Sequence, residues 1–185
     1  MPDYYTGRGD DGSTSLLGDQ RVRKDSPRPA AYGAVDEASA ALGMARASTD
    51  SEAVANVTMT IQRDLYGLMA ELAATPENAE TFRTIDEDRV AWLESRVSAF
   101  GDEIEMPVEF VVGGDSIAGA HFDLARTVVR RAERAVTGLI LSGDVDNHHL
   151  LRYLNRLSSF CFVLSLWENQ SAGVSHPSLA KDRGH

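Results

Sequence analysis

The chain has 185 residues, 43% of them hydrophobic, and its composition does not change along its length, so we expect one domain spanning 1–185. A formal net charge of −10 at pH 7 argues against general nucleic-acid binding, because an acidic surface repels phosphates. The sequence has no signal-peptide-like stretch at its start and no run approaching roughly 18 apolar residues, which predicts a cytoplasmic protein with no membrane partner.

The basic residues are almost all arginine. Arginine supplies 16 of the 18 basic residues, and only Lys24 and Lys181 are lysines. Depleted lysine beside 28 acidic residues is typical of proteins from cells that accumulate salt, where high ionic strength screens the self-repulsion of an acidic surface. We therefore predict a protein adapted to high salt.

The N-terminal segment contains GRGDDG, in which Gly7, Gly9 and Gly12 match the dinucleotide-binding pattern G-x-G-x-x-G. That motif needs a strand before it and a helix directly after it, whereas only six residues precede it here and STSLLG follows. The context therefore excludes a Rossmann loop. Glycine amides beside the Thr14 hydroxyl and the Arg8 guanidinium still suit phosphate oxygens, so we predict a phosphate-binding segment of another architecture over 1–26.

The rest of the chain is predicted to form helices joined by short polar connections. Pro27 and Pro29 introduce the first helix, Gly101 ends the third, and either Asp115 or Ser116 caps the fourth after the extended stretch EFVVGGDS. The predicted helices cover about 28–47, 51–74, 86–100, 116–141 and 146–169. Long helices with short connections predict an all-α, five-helix up-and-down bundle over 27–170, followed by a flexible tail over 171–185.

The fourth predicted helix has two contrasting faces. Placing residues 100° apart predicts a core face made of Ile117, His121, Leu124, Val128, Ala132, Ala135 and Leu139. Arg126, Arg130 and Arg134 fall on the opposite side, with Glu133 beside them. Neighbouring carboxylates could pair all three arginines on an ordinary surface. Alternatively, the row binds a polyanion such as a triphosphate, since guanidinium groups match phosphate oxygens bidentately.

Three polar or reactive features lie on the fifth predicted helix. Asn155 stands in an apolar stretch, where its amide needs partners and could also bind an adenine edge or a ribose hydroxyl. His148 and His149 are adjacent and point about 100° apart, so we predict no metal site there. Cys161, the one cysteine, lies in FCFVLSLW and is expected to be a buried structural thiol.

Four blocks in this order resemble the PduO-type ATP:cob(I)alamin adenosyltransferase family: YTGRGDDGSTSLLG, then RVRKDSPRPAAYGAVDEASAALGMAR, then FVVGGDS with ARTVVRRAER, then YLNRLSSFCFVL. The resemblance implies a ferritin-like bundle that assembles as a homotrimer with each active site between subunits. It implies transfer of the 5′-deoxyadenosyl group of ATP to cob(I)alamin, which forms adenosylcobalamin and releases triphosphate. ATP, Mg2+ and cobalamin are the implied ligands, and a flavoprotein is a candidate reductant.

The resemblance also assigns residues. It implies a nucleotide site that one subunit supplies through its N-terminal segment, with Thr6, Arg8, Gly9, Asp10, Gly12, Thr14 and Lys24. The neighbouring subunit would complete this site with Arg130, Glu133, Arg134 and Asn155. Asp36 would pair with Arg126, both acting with Arg130 in catalysis, while Phe110 would face the lower side of the corrin ring. The residues alone leave another role open for Phe110, as a plug at the end of the bundle core.

Several positions depart from the family pattern. Gly7 and Arg8 replace a basic residue followed by a small polar one, and Asp123 stands where a histidine is common. Ser159 and Leu166 replace an aspartate and an arginine seven residues apart, which is typical of an ion pair lost together. Two other classes of function therefore stay open, namely an ATP- or corrinoid-binding carrier or sensor without turnover, and a helical interaction module.

Overall fold

Five α-helices make up most of the computed structural model, which describes residues 5–181. The helices are α1 (Pro27–Ser48), α2 (Glu52–Ala73), α3 (Glu87–Gly101), α4 (Ile117–Leu141) and α5 (His148–Ser171). A 3-10 turn, Ala79–Phe82, lies between α2 and α3, and two short strands, β1 (Ser13–Ser15) and β2 (Arg21–Arg23), precede α1. All five predicted helices are confirmed.

Local capping explains where four of the helices begin. The side chains of Ser51, Asp86, Ser116 and Asn147 accept hydrogen bonds from backbone N–H groups in the first turns of α2, α3, α4 and α5. Each cap satisfies an amide that has no partner within its helix. Of the two predicted starts for α4, the structure has Ser116.

The core lies between α4 and its neighbours α1 and α5, while α2 packs on α1 and α3 packs on α5. The largest fully buried side chains include Tyr153, Phe122 and Phe160. This arrangement is the predicted all-α bundle. Within residues 5–181, no helix is both long and apolar enough to cross a membrane.

The prediction of which α4 residues face the core is wrong for most of the set. Ile117 is 75% exposed and Leu124 is 48% exposed, whereas Phe122, Val129 and Val136 are fully buried. Of the predicted set, only Ala132 and Leu139 are buried, while His121 is half-buried, and Val128 and Ala135 pack only partly against the core. The helix carries two apolar arcs. The buried arc alternates small and large residues, and α4 packs against both α1 and α5.

The N-terminal segment forms a hairpin that is tied to the end of α2. Its strands pair antiparallel with Thr14 opposite Val22. Beyond β1, the Leu17 N–H donates to the Ala73 carbonyl at 2.8 Å, and the Thr75 N–H donates to the Leu17 carbonyl at 3.2 Å. The hairpin therefore has a fixed attachment to the helical bundle.

The segment that we expected to be a flexible tail is held to the bundle along its described part. The Val112 N–H donates to the Ser178 carbonyl at 2.7 Å, and the Ala180 N–H donates to the Phe110 carbonyl at 2.8 Å. This pairing spans almost 70 residues of sequence, so no local pattern could indicate it. Residues 182–185 of that predicted tail, and 1–4 of the N-terminal segment, lie outside the described residues.

Candidate functional site

Two tight turns shape the glycine loop before β1. Gly7 and Gly12 adopt φ values of +68° and +81°, a region that favours glycine because it has no Cβ. The Asp10 N–H donates to the Gly7 carbonyl, and the Gly12 N–H donates to the Gly9 carbonyl, each at 3.1 Å. The backbone of the loop is thus folded into turns and is not an extended strand.

Lys24 brings a cation to this loop. Its N–H donates to the Gly12 carbonyl at 2.9 Å, and its Nζ atom lies 3.0 Å from where a Cβ on Gly9 would stand. A side chain at position 9 would also come within 3.2 Å of the Ser13 carbonyl oxygen. The structure therefore brings together Gly9, Gly12 and Lys24, three predicted nucleotide-binding residues.

Arg21 and Asp11 stabilise the same loop and were missed by sequence analysis. The Asp11 carboxylate accepts from the Ser13 N–H at 2.9 Å and from its hydroxyl at 2.7 Å, and these bonds lower the pKa of Asp11. The Arg21 guanidinium donates to the Arg8 carbonyl at 2.8 Å and also contacts the Ser13 hydroxyl. The Asp-x-Ser spacing of an Asx turn was the available signal.

The other predicted residues of the loop are placed less firmly. Thr6 is exposed, and its hydroxyl accepts from the Arg8 N–H at a long 3.4 Å. The side chains of Arg8 and Asp10 are exposed, and Thr14 is half-buried in β1. An exposed carboxylate and a basic side chain remain accessible to a phosphate-bearing ligand.

The arginine row of α4 divides into one paired and two unpaired side chains. Arg126 Nε donates to the Asp123 carboxylate at 2.8 Å. Within residues 5–181, neither Arg130 nor Arg134 has a hydrogen-bond or ion-pair partner, and both are exposed. Within residues 5–181, neighbouring carboxylates therefore do not pair all three arginines.

Glu133 and Asn155 meet across the interface of α4 and α5. Asn155 Nδ2 donates to Glu133 Oε1 at 2.8 Å, and Arg156 Nη1 donates to Asn155 Oδ1 at 2.8 Å. Arg156 in turn pairs with Glu94 of α3 at 2.9 Å. Two predicted site residues are thus in direct contact, and the amide of Asn155 is oriented by partners on both sides.

The predicted Asp36–Arg126 pair does not form within one chain. Asp36 is exposed on α1, and the carboxylate at Arg126 belongs to Asp123. Asp123 lies three residues earlier on the same helix, where side chains share a face, so its carboxylate reaches the guanidinium first.

A cavity of about 410 Å³ opens between the segment 107–113 and helices α4 and α5. Its lining includes Phe110, Asp123, Arg126, Phe162 and Leu166. Phe110 is 86% exposed, so the hypothesis that its ring plugs the bundle core is wrong. An exposed phenylalanine at the mouth of a cavity is available to contact a flat apolar ligand.

Gly113 and Asp123 are in unusually close contact at this cavity. A Cβ built on Gly113 would lie 2.6 Å from the Asp123 carboxylate and 3.1 Å from the Asp123 Cβ atom. The absence of a side chain at position 113 is what lets the segment above the cavity approach α4.

A second cavity, of about 380 Å³, adjoins the first. It shares Arg126 and Phe162 with the first cavity, and it adds Arg130 and Ser159. Ser159 and Leu166, the two departures from the family pattern, therefore line neighbouring cavities. Arg126 lines both cavities, and Arg130 lines only the second.

Arg28 holds together the elements beneath the N-terminal hairpin. Its guanidinium donates to the Leu72 and Ala74 carbonyls at 2.9 and 3.1 Å, and to the Asp144 carbonyl at 2.6 Å. The first two carbonyls belong to the C-terminal end of α2, where such groups have no partner within the helix. The same end of α2 anchors the hairpin through Leu17.

A buried carboxyl lies beside this junction. Glu71 is only 2% exposed, and it accepts from Asn147 Nδ2 at 3.1 Å and from Arg83 Nε at 3.3 Å. Burial raises the pKa of Glu71 above its ordinary value, and the two hydrogen-bond donors oppose that effect only in part.

Two minor predictions concern cysteine and histidine. Cys161 is fully buried as predicted, and burial raises the pKa of its thiol to about 12, which makes it unreactive. Among residues 5–181, no three His, Cys, Asp or Glu side chains lie where they could hold a metal ion.

The sequence and the fold are similar to those of known proteins. The family described as cobalamin adenosyltransferase matches residues 4–168. The corrinoid adenosyltransferase of Bacillus subtilis strain 168 is 35% identical over 174 residues, covering 92% of this chain and 88% of that protein. The corrinoid adenosyltransferase PduO of Citrobacter freundii is 36% identical over 169 residues, and this chain spans 50% of its length.

The fold also matches a solved structure along nearly its whole length. A variant PduO-type ATP:corrinoid adenosyltransferase from Lactobacillus reuteri, complexed with cobalamin and ATP, superposes with a TM-score of 0.89 at 27% identity. The match covers 97% of this chain and 100% of that one. The chain therefore belongs to the cobalamin adenosyltransferase family.

Proposed function

We propose that this protein transfers the 5′-deoxyadenosyl group of ATP to cob(I)alamin, forming adenosylcobalamin and releasing triphosphate. The observation that carries the proposal is the pair of adjoining cavities that share Arg126 and Phe162. One is bordered by the exposed ring of Phe110 and suits a corrin. The other is lined by the unpaired cation Arg130, whose guanidinium would bind a polyphosphate at its edge.

The nucleotide site is divided between two copies of the chain. No hydrogen bond or ion pair within residues 5–181 joins the glycine loop to Arg130 or Arg134. We propose that the loop of one subunit, with Lys24, covers the triphosphate while Arg130, Arg134 and the Glu133–Asn155 pair of a neighbour hold its other side. A homotrimer would provide three such sites. The exposed Ile117 and other apolar residues of α4 are available to bury between copies.

The reaction needs alignment and charge stabilisation more than acid–base catalysis. The cobalt(I) of the substrate attacks the 5′-carbon of ATP, so a cobalt–carbon bond forms while the carbon–oxygen bond to the triphosphate breaks. The bonding electron pair leaves with the triphosphate oxygen. Lys24 and Arg130 would stabilise the developing charge, and the rigid bundle would hold the reacting atoms in line.

Phe110 acts on the corrin rather than on ATP in this proposal. An apolar ring against the lower face keeps water and the lower ligand away from cobalt. The resulting four-coordinate cob(II)alamin is easier to reduce, in keeping with the way protein surroundings tune a bound metal. We propose that a flavoprotein supplies the electron.

The glycine loop also fits Mg2+. Asp10 offers an exposed carboxylate, and Thr14 offers a hydroxyl in the adjoining strand. Such hard oxygen donors, one or two at a time, hold Mg2+ together with the phosphates of a substrate. When bound, the ion would neutralise part of the triphosphate charge.

We place this activity in the cytoplasm. The one cysteine of the sequence is a buried free thiol, so the fold does not depend on a disulfide or an oxidising compartment.

The deciding experiment mixes the protein with ATP, Mg2+ and chemically reduced cobalamin, and follows the absorption change to adenosylcobalamin. We expect turnover that needs all three components. Tight binding of ATP and corrinoid without turnover would instead establish a carrier or sensor. Failure to bind either ligand would leave only a helical interaction module.

A further inference from the structure

The described end of the chain pairs with the segment that carries Phe110. Residues 178–180, here named the C-terminal strap, lie antiparallel to residues 110–112, with Leu179 opposite Val111. The two backbone hydrogen bonds of this pair, Val112 N–H to the Ser178 carbonyl and Ala180 N–H to the Phe110 carbonyl, measure 2.7 and 2.8 Å. The strap thus adds a second strand to an otherwise isolated extended segment.

A carboxylate fastens the start of the strap to the residue just before the cap of α4. Asp115 Oδ1 accepts from the Ser178 hydroxyl at 2.6 Å, and Asp115 Oδ2 accepts from the Ser178 N–H at 2.9 Å. Asp115 directly precedes Ser116, the residue that caps α4. The strap is therefore connected both to the segment above the cavity and to the start of the turn that leads into α4.

The segment over the cavity needs such support. Val108 is fully exposed, Phe110 is 86% exposed, and Val112 is 52% exposed, so burial of side chains does little to hold it. Gly113 and Gly114 follow, and glycine gives the unfolded or detached segment many alternative conformations. Without the strap, the backbone groups of Phe110 and Val112 would exchange their partners for water.

We propose that the C-terminal strap is a positioning element for the corrin site. It holds the Phe110 ring at the cavity mouth, so that the lower face of the corrin meets a fixed apolar wall. This inference rests on the proposed function for its ligand. It goes beyond that function because it gives residues 178–180 a part in corrinoid binding and none in ATP binding.

The main test compares two shortened chains. One ends at residue 175, which keeps the Val174 N–H to Asn169 carbonyl bond at the end of α5 but removes the strap. The matched control ends at residue 181 and keeps the strap. Phe110→Ala in the full chain shows what is measured when the apolar ring at the lower face of the corrin is missing.

Hydrogen exchange gives a readout that does not depend on activity. We expect the Val112 amide to exchange about tenfold faster or more in the chain ending at 175, since its partner carbonyl is gone. The chain ending at 181 should match the parent. Equal exchange at Val112 in both shortened chains would overturn the proposal.

Ligand measurements give the functional readout. With cob(II)alamin and ATP, the chain ending at 175 should resemble Phe110→Ala and show mainly five-coordinate cobalt by electron paramagnetic resonance. Its KM for cobalamin should rise about tenfold, the effect of losing roughly one or two net hydrogen bonds, while its KM for ATP stays within twofold. An equal rise in both KM values would indicate general destabilisation and contradict a positioning role.

A point substitution covers the case in which the shortened chain fails to fold. Asp115→Ala in the full chain removes both bonds to Ser178, and Asp88→Ala, at an exposed carboxylate of α3, changes the charge equally. Only Asp115→Ala should speed exchange at Val112 and raise the KM for cobalamin. If full-length protein makes no adenosylcobalamin, the proposed function fails, yet exchange at Val112 still decides whether the strap holds the segment.

Discussion

Arg130 shows most directly how a single side chain indicates function. An exposed guanidinium with no partner within residues 5–181 gains little from its position, and on α4 it repels Arg126 and Arg134 one turn away on either side. A triphosphate reverses that cost, because the same charges then converge on the leaving group. We therefore propose that this side chain serves ligand binding rather than stability.

We predict that Arg130→Ala lowers kcat/KM for ATP about 100-fold, the usual effect of removing a charged donor from a preorganised site. Arg63→Ala, which removes an exposed arginine from α2, serves as the matched control and should leave kcat/KM unchanged. The measurement is initial rate against ATP concentration with saturating cob(I)alamin. A loss smaller than threefold would mean that Arg130 does not contact the triphosphate.

Glu71 predicts a particular dependence of stability on pH. Burial raises the pKa of Glu71 above its ordinary value of 4.5, so folding takes up a proton at this carboxyl. Its contribution to the free energy of unfolding is therefore fully present below the unfolded pKa, falls as pH rises through the folded pKa, and then levels off. Glu71→Gln should flatten that part of the pH profile.

Urea unfolding of the parent and of Glu71→Gln, at several pH values from about 4 to 8, measures this effect. The difference in unfolding free energy, parent minus variant, should decrease as pH rises from the ordinary glutamate pKa. A difference that increases with pH would show that the ion pair with Arg83, rather than burial, dominates at this site.

At the scale of elements, local signals predicted the helices and failed at the contacts between distant segments. Serine, aspartate and asparagine caps lie beside the turns that they stabilise, so the sequence indicates them directly. The two apolar arcs of α4 could be told apart only by knowing which one faces α1 and α5. The pairing of 110–112 with 178–180 depends on backbone groups, which carry no residue-specific signature.

The candidate site was predictable to a similar degree. Motifs located Lys24, Glu133 and Asn155, and the structure brings them against Gly9 or one another. The exposed state of Phe110 is also consistent with its predicted role. Asp123 was noticed only as a departure from the family pattern, and its pairing with Arg126 could not be inferred without the side-chain geometry.

Arg28 offers a prediction at this scale. Arg28→Ala leaves three carbonyls of α2 and the α4–α5 turn without their donor, which should cost about 1–3 kcal/mol of unfolding free energy. Because the same end of α2 anchors the hairpin, ATP affinity should also fall, while corrinoid affinity should not.

Arg28→Lys is the informative comparison for this variant. An ammonium group keeps the charge but lacks the planar fork that reaches carbonyls of two elements at once, so we expect only partial recovery of stability. Urea unfolding and calorimetric titration with ATP measure the two effects. Unchanged ATP affinity in Arg28→Ala would separate the junction from the nucleotide site.

At the scale of the whole molecule, the proposed division of the nucleotide site between subunits makes assembly a condition of activity. We expect light scattering to give about 60 kDa, corresponding to three copies of the 20.1 kDa chain. Mixing an Arg130→Ala chain with a Lys24→Ala chain should restore part of the activity, since some interfaces then contain two intact halves. A fully active monomer would contradict the shared site.

The acidic surface predicts the response of the folded protein to salt. The melting temperature should rise as KCl approaches about 1 M, because screening relieves the self-repulsion of a net charge of −10. Near pH 4.9, the isoelectric point of the sequence, the same salt should have little effect. A melting temperature that is flat or falling at pH 7 would rule out adaptation to high salt.

The close approach of Gly113 to Asp123 restricts the order in which this chain can change during evolution. A side chain at position 113 would collide with the Asp123 carboxylate, so replacement of Asp123 first would make room for it. Once alanine replaces Asp123, only its Cβ remains, 3.1 Å from the new atom, a contact that a small backbone shift can relieve. Position 113 therefore accepts a side chain more easily after Asp123 has been replaced than before, so the order of the two substitutions matters.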